Sequence, residues 1–155
     1  MIPKTVLVVV SGPFGATLGA EEVARAIGRG LVGAGQPEPD LCPIADEKGG
    51  TPDVGSLLER LDFDVRMHRA RAVVLAEPRL QEKTLRGSVT FEIATRARQG
   101  GVPAYAVVGE NALEPFDARI LDLQLILEAS SGRALASAGK KLAGLLEWRP
   151  VAADR

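Results

Sequence analysis

The stretch Thr5-Val-Leu-Val-Val-Val10, followed by Ser11-Gly-Pro-Phe-Gly-Ala-Thr-Leu-Gly19 and an apolar-periodic run over 20–34, decides the fold. The first six residues carry no polar alternation, which is how a strand covered on both faces reads. The run that follows has Ala20, Val23, Ala24, Ile27 and Leu31 on one helical face. Glu21 and Glu22 sit in its first turn, where the helix dipole favours negative charge, and Gly33 to Gly35 end it. The same layout recurs later: Ala72-Val-Val-Leu75 reads as a strand, and Glu77-Pro-Arg-Leu-Gln-Glu-Lys-Thr-Leu-Arg-Gly87 as the loop that leads to another helix. Strand–loop–helix units of this kind place their loops at the carboxyl ends of parallel strands, where α/β proteins hold ligands.

Working outward, 39–44 reads as a weaker strand interrupted by Pro43, and the glycine-rich 45–55 as a loop. Ser56-Leu-Leu-Glu59 is a capping box that predicts a short helix, and 64–69 a second amphipathic piece. Ser88 is placed to cap a helix to Gln99, with Val89, Ile93, Ala94 and Ala97 inward and Gly100-Gly101 as its stop. Strands follow over 103–108 and 123–127. Ser130 and Ser131 are candidate caps for a last helix carrying Leu135, Ala138, Leu142 and Leu145 on one stripe. The pattern predicts a doubly wound α/β fold, with a mostly parallel five-stranded sheet and helices on both faces, Rossmann- or flavodoxin-like. Strand order 2-1-3-4-5 is expected, with 3-2-1-4-5 as the alternative. One domain over 1–148 and a flexible tail over 149–155 are expected.

At 155 residues the chain can bury roughly 70% of its unfolded surface in one domain. A net charge of −1 with mixed signs offers no field for nucleic acid or an anionic membrane surface. No apolar run approaches the roughly 20 residues of a membrane span, and the first residues lack a signal-peptide layout. The lone Cys42 forms no internal disulfide and suits a reducing cytoplasm; it reads as a small buried apolar residue. His68 has no neighbouring acid or nucleophile in sequence and reads as structural or exposed.

Several of these motifs resemble the bacterial glycerate kinase family. Phe14, Leu18 and 20–24 are similar to that family's opening loop and helix. Pro43-Ile-Ala-Asp46 and Gly50-Thr51 resemble its Pro-Ile-Ala-Asp-Gly-Gly-Glu-Gly-Thr loop. Residues 61–69 with 73–94 resemble its closing half, and 101–108 its Gly-Val-Pro-Val strand. The likeness spans about 5–148 in two blocks joined near 51–55, and a large central segment of the family, with its second domain, has no counterpart. Departures fall on the charged positions. Gly12 and Gly15 stand where the family has Asp and Lys, and Glu47, Lys48 and Gly49 where it has Gly-Gly-Glu. Gln81 replaces an Asp, and Gly87-Ser88 a Gly-Lys. Phosphoryl transfer depends on cations and metal clamping the transferred phosphate, so these losses remove its largest contributions.

What remains as candidate ligand groups is Ser11, Gly12, Gly15, Thr17, Asp46, Lys48, Glu77 and Arg79, with Glu47, Lys83 and Arg86 nearby. The 11–15 stretch lacks the Gly-x-x-x-x-Gly-Lys-Ser/Thr pattern, so it is no P-loop, although its glycines can turn backbone N–H groups to an anion or simply make a tight turn. Arg79 reads as an anion contact or as a tie between loops through Glu77 or Asp46. Asp46 reads as a ligand group or a local backbone cap, and Lys48 as a replacement for a lost lysine or as solvated charge. The expected function is a truncated, catalytically inactive glycerate kinase-like domain that binds a small anionic metabolite or acts as a partner subunit. The alternatives are residual ATP-dependent hydroxy-acid kinase activity, the only reading that calls for ATP and Mg²⁺, and a scaffold. No other cofactor, metal or catalytic residue is expected. Leu57, Leu58, Leu61, Phe63 and Met67, just after the junction, are more apolar than a short surface helix needs; about half of them are expected to pack into the domain's own core and the rest to form an apolar patch covered in a homodimer.

Overall fold

The computed structural model describes residues 4–44 and 53–146. Asp46, Glu47, Lys48, Trp148 and the 149–155 tail lie outside the described residues. Five strands, β1 (Thr5–Val10), β2 (Asp40–Pro43), β3 (Ala70–Leu80), β4 (Ala104–Asn111) and β5 (Ile126–Glu128), alternate with helices. The helices are α1 (Ala20–Gly33), α2 (Val54–Arg60), α3 (Phe63–His68), α4 (Val89–Gln99), α5 (Pro115–Ala118) and α6 (Gly132–Leu146). The sheet runs β2-β1-β3-β4-β5 with every neighbour parallel, the first of the two orders expected.

The unbroken apolar strands follow from burial on both sides. Leu7 and Val9 join the core beneath α2, α3 and α4, while Val6, Val8 and Val10 join the core beneath α1 and α6. On α1, Val23, Ile27 and Leu31 are fully buried, and on α6 Leu135 and Leu142 are too. Burial of each such side chain contributes roughly 1.5–3 kcal/mol.

The structure corrects several expectations. The run after the junction is core and not surface: Leu58, Phe63 and Met67 are at most 2% exposed, Leu57 is buried and Leu61 packs against them. The patch on which the homodimer expectation stood is therefore covered by the chain itself. α2 begins at Val54, ahead of Ser56, because Asp53 is the cap and its carboxylate accepts the Ser56 N–H at 3.1 Å. β5 lies further along than 123–127. β3 continues through Glu77 to Leu80, where a loop was expected, because β4 runs beside it as far as Asn111. Pro78 is tolerated inside this pair because Gly109 faces it: a Cβ on Gly109 would lie 2.5 Å from the Pro78 carbonyl oxygen.

α3 is clasped to β2 by Arg66. Its Nε and Nη2 donate to the Asp40 carboxylate at 2.9 and 2.7 Å, and its Nη2 and Nη1 to the Leu41 and Leu61 carbonyls, each at 3.1 Å. Beside this pair lies Cys42, only 3% exposed. Burial pushes its thiol above the ordinary range, opposed by the Arg66 guanidinium. A thiol held neutral by the fold contributes stability that is full below the ordinary thiol range and is lost as pH rises through its folded value. Ellman's reagent at pH 8 is expected to label Cys42 at least a hundredfold faster in urea than in the native protein. Equal rates would contradict its burial.

Candidate functional site

The sheet reverses its strand order between β1 and β3, and the loops after these strands diverge over the carboxyl edge there. The Ser11 N–H donates to the Ala76 carbonyl at 2.9 Å, which ties the start of one loop to the neighbouring strand. Its side chain turns to the carboxylate at the next position: Ser11 Oγ–H donates to Glu77 Oε2, with the Ala76 oxygen a second acceptor at 3.2 Å. From α4, Thr90 Oγ1 donates to the same Glu77 oxygen at 2.5 Å. Two hydroxyls, one from the loop after β1 and one from α4, thus fix one carboxylate at the switch point. Thr90 is fully enclosed, whereas Ser11 and Glu77 are half-buried.

The loop over 11–18 folds back on itself. The Phe14 N–H donates to the Leu18 carbonyl at 2.8 Å, and the ring is buried among the residues under α1 and α6. One ring carbon lies 3.7 Å from where a Cβ on Gly109 would be, so the phenyl reaches across the edge towards β4. Gly15 takes a positive φ of 77°, a conformation that glycine adopts without strain. Gly12 has no such requirement, and open space surrounds both positions. Thr17 is exposed.

The remaining candidates separate from this centre. Arg79 does not reach Glu77. Its Nε lies 3.6 Å from Glu110 Oε1 across the β3–β4 pair, and both side chains are more than half exposed. Arg86 pairs with Glu82 at 3.0 Å on the 3-10 turn Glu82–Leu85, and Lys83 is exposed on the same turn. Ser88 caps α4 as expected, accepting the Phe91 N–H at 3.0 Å. Thr90 and Glu110 were not anticipated from the sequence. A hydroxyl in the first turn of a capped helix that starts beside a strand-end acid was the available signal for Thr90. Among the described residues, no three His, Cys, Asp or Glu side chains converge as a metal-binding group, and no helix is long and apolar enough to cross a membrane.

A cavity of about 840 Å³ opens at the opposite, amino-terminal edge, lined among others by Lys4, His68, Arg71 and Tyr105. The carboxyl ends of α3, α4 and α6 meet there, so Lys4 and Arg71 complement the helix dipoles. Arg71 itself donates to the Leu146 carbonyl at 2.5 Å and to Gln36 at 3.3 Å.

Compared with known proteins, residues 50–143 match the sequence model of the glycerate kinase family. The match starts at the junction and covers the second of the two blocks. No curated protein matches the chain. Among solved structures, the response regulator receiver domain from Rhodospirillum rubrum is similar in fold, with a TM-score of 0.53 and 15% sequence identity. That likeness covers 95% of this chain and 96% of the receiver domain, and it extends to the doubly wound fold alone.

Proposed function

Because the chain belongs to the glycerate kinase family, we propose that it is a reduced member of that family, without phosphotransferase activity of its own, whose β1/β3 edge binds a small anionic metabolite. The observation that carries this reading is that Ser11 and Thr90 both hold Glu77 Oε2, which fixes the carboxylate, while Arg79 pairs with Glu110 instead. A magnesium–nucleotide phosphate group needs carboxylates open to the metal and cations converging on the phosphates. At the described edge one oxygen of the central carboxylate is held by two hydroxyls, and Arg79 and Arg86 are paired with other acids. Among the described residues these cations do not converge as a phosphate clamp, so this donor set does not fit the nucleotide phosphates.

The acid also narrows the ligand class. A bare anion beside Glu77 is repelled, whereas a ligand with a hydroxyl next to its anionic group can donate to the carboxylate and turn its charge to the backbone N–H groups of the 11–17 loop. In phosphate and glycerate titrations followed by amide NMR, the largest shifts are expected over 11–17 and 77–79. In a coupled assay with MgATP and glycerate no turnover is expected, since each missing clamp commonly costs about 10²–10³ in rate. Glycerate-dependent ADP release that disappears in Arg79→Ala would overturn the inactivity. Shifts confined to other surfaces would overturn the site.

A further inference from the structure

The two edges of the sheet are treated very differently. Along β2, the Ile44 N–H donates to the Val10 carbonyl at 2.9 Å, so even-numbered residues there turn their backbone to β1 and Leu41 and Pro43 turn theirs outward. The Leu41 carbonyl is already held by Arg66 at 3.1 Å, and Pro43 has no N–H to offer. That edge is blunted against pairing. Along β5, the Leu125 carbonyl accepts the Ala106 N–H at 2.9 Å and the Ala129 N–H donates to the Val108 carbonyl at 2.8 Å. Odd-numbered residues therefore face β4, and the N–H and C=O groups of Ile126 and Glu128 face outward. Among the described residues no strand pairs with them.

Beside this open edge lies a groove of about 470 Å³ between β5 and α6. Its apolar floor is Leu127, Ala134 and Ala138, and its rim is Arg133, Ser137 and Lys141. These rim residues follow one another at four-residue intervals, so they line one face of the helix at steps of about 6 Å, with the two cations about 12 Å apart. Among the described residues neither cation has a carboxylate within ion-pairing distance. Glu128 bounds the groove at the strand end, with its carboxylate accepting the Asn111 N–H at 2.9 Å.

We propose that the outer edge of β5 and the facing side of α6 form a docking groove for an extended acidic segment of a partner protein, added to the sheet as a sixth strand. Charge complementarity and spacing select this occupant. One small anion does not bridge cations about 12 Å apart, whereas side chains at i and i+4 of a strand lie about 13 Å apart and point to the same face. Acidic residues at those positions meet Arg133 and Lys141, and the residue between them rests on Leu127 and Ala138. Backbone pairing to Ile126 and Glu128 supplies affinity, and the groove supplies specificity. The β5 edge is only three residues long, so it resists indiscriminate self-pairing while accepting a strand whose side chains also fit the groove.

Fluorescence anisotropy with the labelled heptapeptide Thr-Glu-Thr-Val-Thr-Glu-Thr, which puts Glu, Val and Glu on one face, tests this directly on the full chain. Saturable binding is expected, weakened roughly tenfold in Arg133→Glu/Lys141→Glu and lost progressively with salt. Glu128→Pro is a second, independent probe, because it removes an outward N–H while leaving the backbone bonds to β4, and Glu128→Gln is its control, since it removes the charge and keeps an acceptor for the Asn111 N–H; relative to that control, Glu128→Pro is expected to weaken binding at least fivefold. Arg25→Glu/Arg29→Glu, on α1, is expected to bind as the parent does. Four outcomes would overturn the proposal: equal binding of the same peptide with Lys in place of both Glu, unchanged affinity in the two groove variants, displacement of the peptide by millimolar inorganic phosphate, or Ile126 and Glu128 amide shifts that depend on protein concentration alone. The third would assign the groove to a small anion, and the fourth to a second copy of this chain.

Discussion

Alanine at Gly139 lowers the stability of the domain by about 2–4 kcal/mol, and alanine at Gly30 by at least as much. In an isolated helix either change would gain about 1 kcal/mol, because glycine is the poorer helix former. Here the helices cross too closely for that gain to count. A Cβ on Gly139 would lie 2.3 Å from the Ile27 carbonyl oxygen and 3.2 Å from Gly30 Cα, and one on Gly30 only 1.9 Å from the Ala136 carbonyl oxygen. Backbone on both sides cannot swing away as a side chain would, so α1 and α6 must separate. Separation loosens Ile27, Leu31, Leu135 and Leu142, all fully buried. Gly144, on the same helix with nothing within 4 Å of an added Cβ, is the control and is expected to gain up to about 1 kcal/mol as alanine. Urea midpoints at constant slope measure all three. A Gly139→Ala protein as stable as the parent would contradict the close crossing.

The same pair marks where sequence reading stops. The apolar stripe of α1 was legible from spacing, and so was that of α6 except at its end, where Leu146 is buried and the expected Leu145 is exposed; β1 as a strand buried on both faces, the strand order and the Ser88 cap were legible too. Those signals are local, or follow from the alternation of strands and helices. Which glycine permits a close crossing depends on a partner more than a hundred residues away, and period alone does not reveal it. Pro78 gave a misleading reading for the same reason: it argues for a loop until Gly109 is seen to face it. The run Leu57 to Met67 was legible as apolar but only about half of it as buried, because an apolar helix face reads alike whether its own core or another molecule covers it. At the site, Ser11 and Glu77 were legible as strand ends and are brought together. Arg79 was drawn to Glu110, two residues past the end of the strand read from the sequence, and Thr90 passed as an ordinary helix residue. The family likeness located the edge; only the fold could say which side chains meet there.

Leucine at Glu77 is the second large loss, about 2–3 kcal/mol, and its cause lies in Thr90 more than in Glu77 itself. Thr90 is 1% exposed, and its hydroxyl donates to Glu77 Oε2 at 2.5 Å. Without the carboxylate that hydroxyl is left where water does not reach, and an unsatisfied buried donor costs about 1–3 kcal/mol. Ser11 suffers less, because the Ala76 carbonyl is already 3.2 Å from its Oγ. Replacing both members removes the orphan as well as the bond, so Glu77→Leu/Thr90→Val is expected to recover more than half of the single-mutant loss. Additive losses would place the cost elsewhere. Glutamine at the same position separates the electrostatic role from the structural one. It keeps an oxygen acceptor for the hydroxyls and removes the charge, which at roughly 7 Å from a bound anion is worth about 1 kcal/mol of repulsion. Inorganic phosphate is therefore expected to bind Glu77→Gln roughly fivefold more tightly than the parent. A hydroxy acid that donates to the carboxylate loses a charge-assisted bond in the same variant and is expected to bind more weakly. Opposite signs for phosphate and glycerate, measured by the same amide shifts, would establish that Glu77 selects its ligand by the donor it carries. A shift of the same sign for both would leave Glu77 a packing residue.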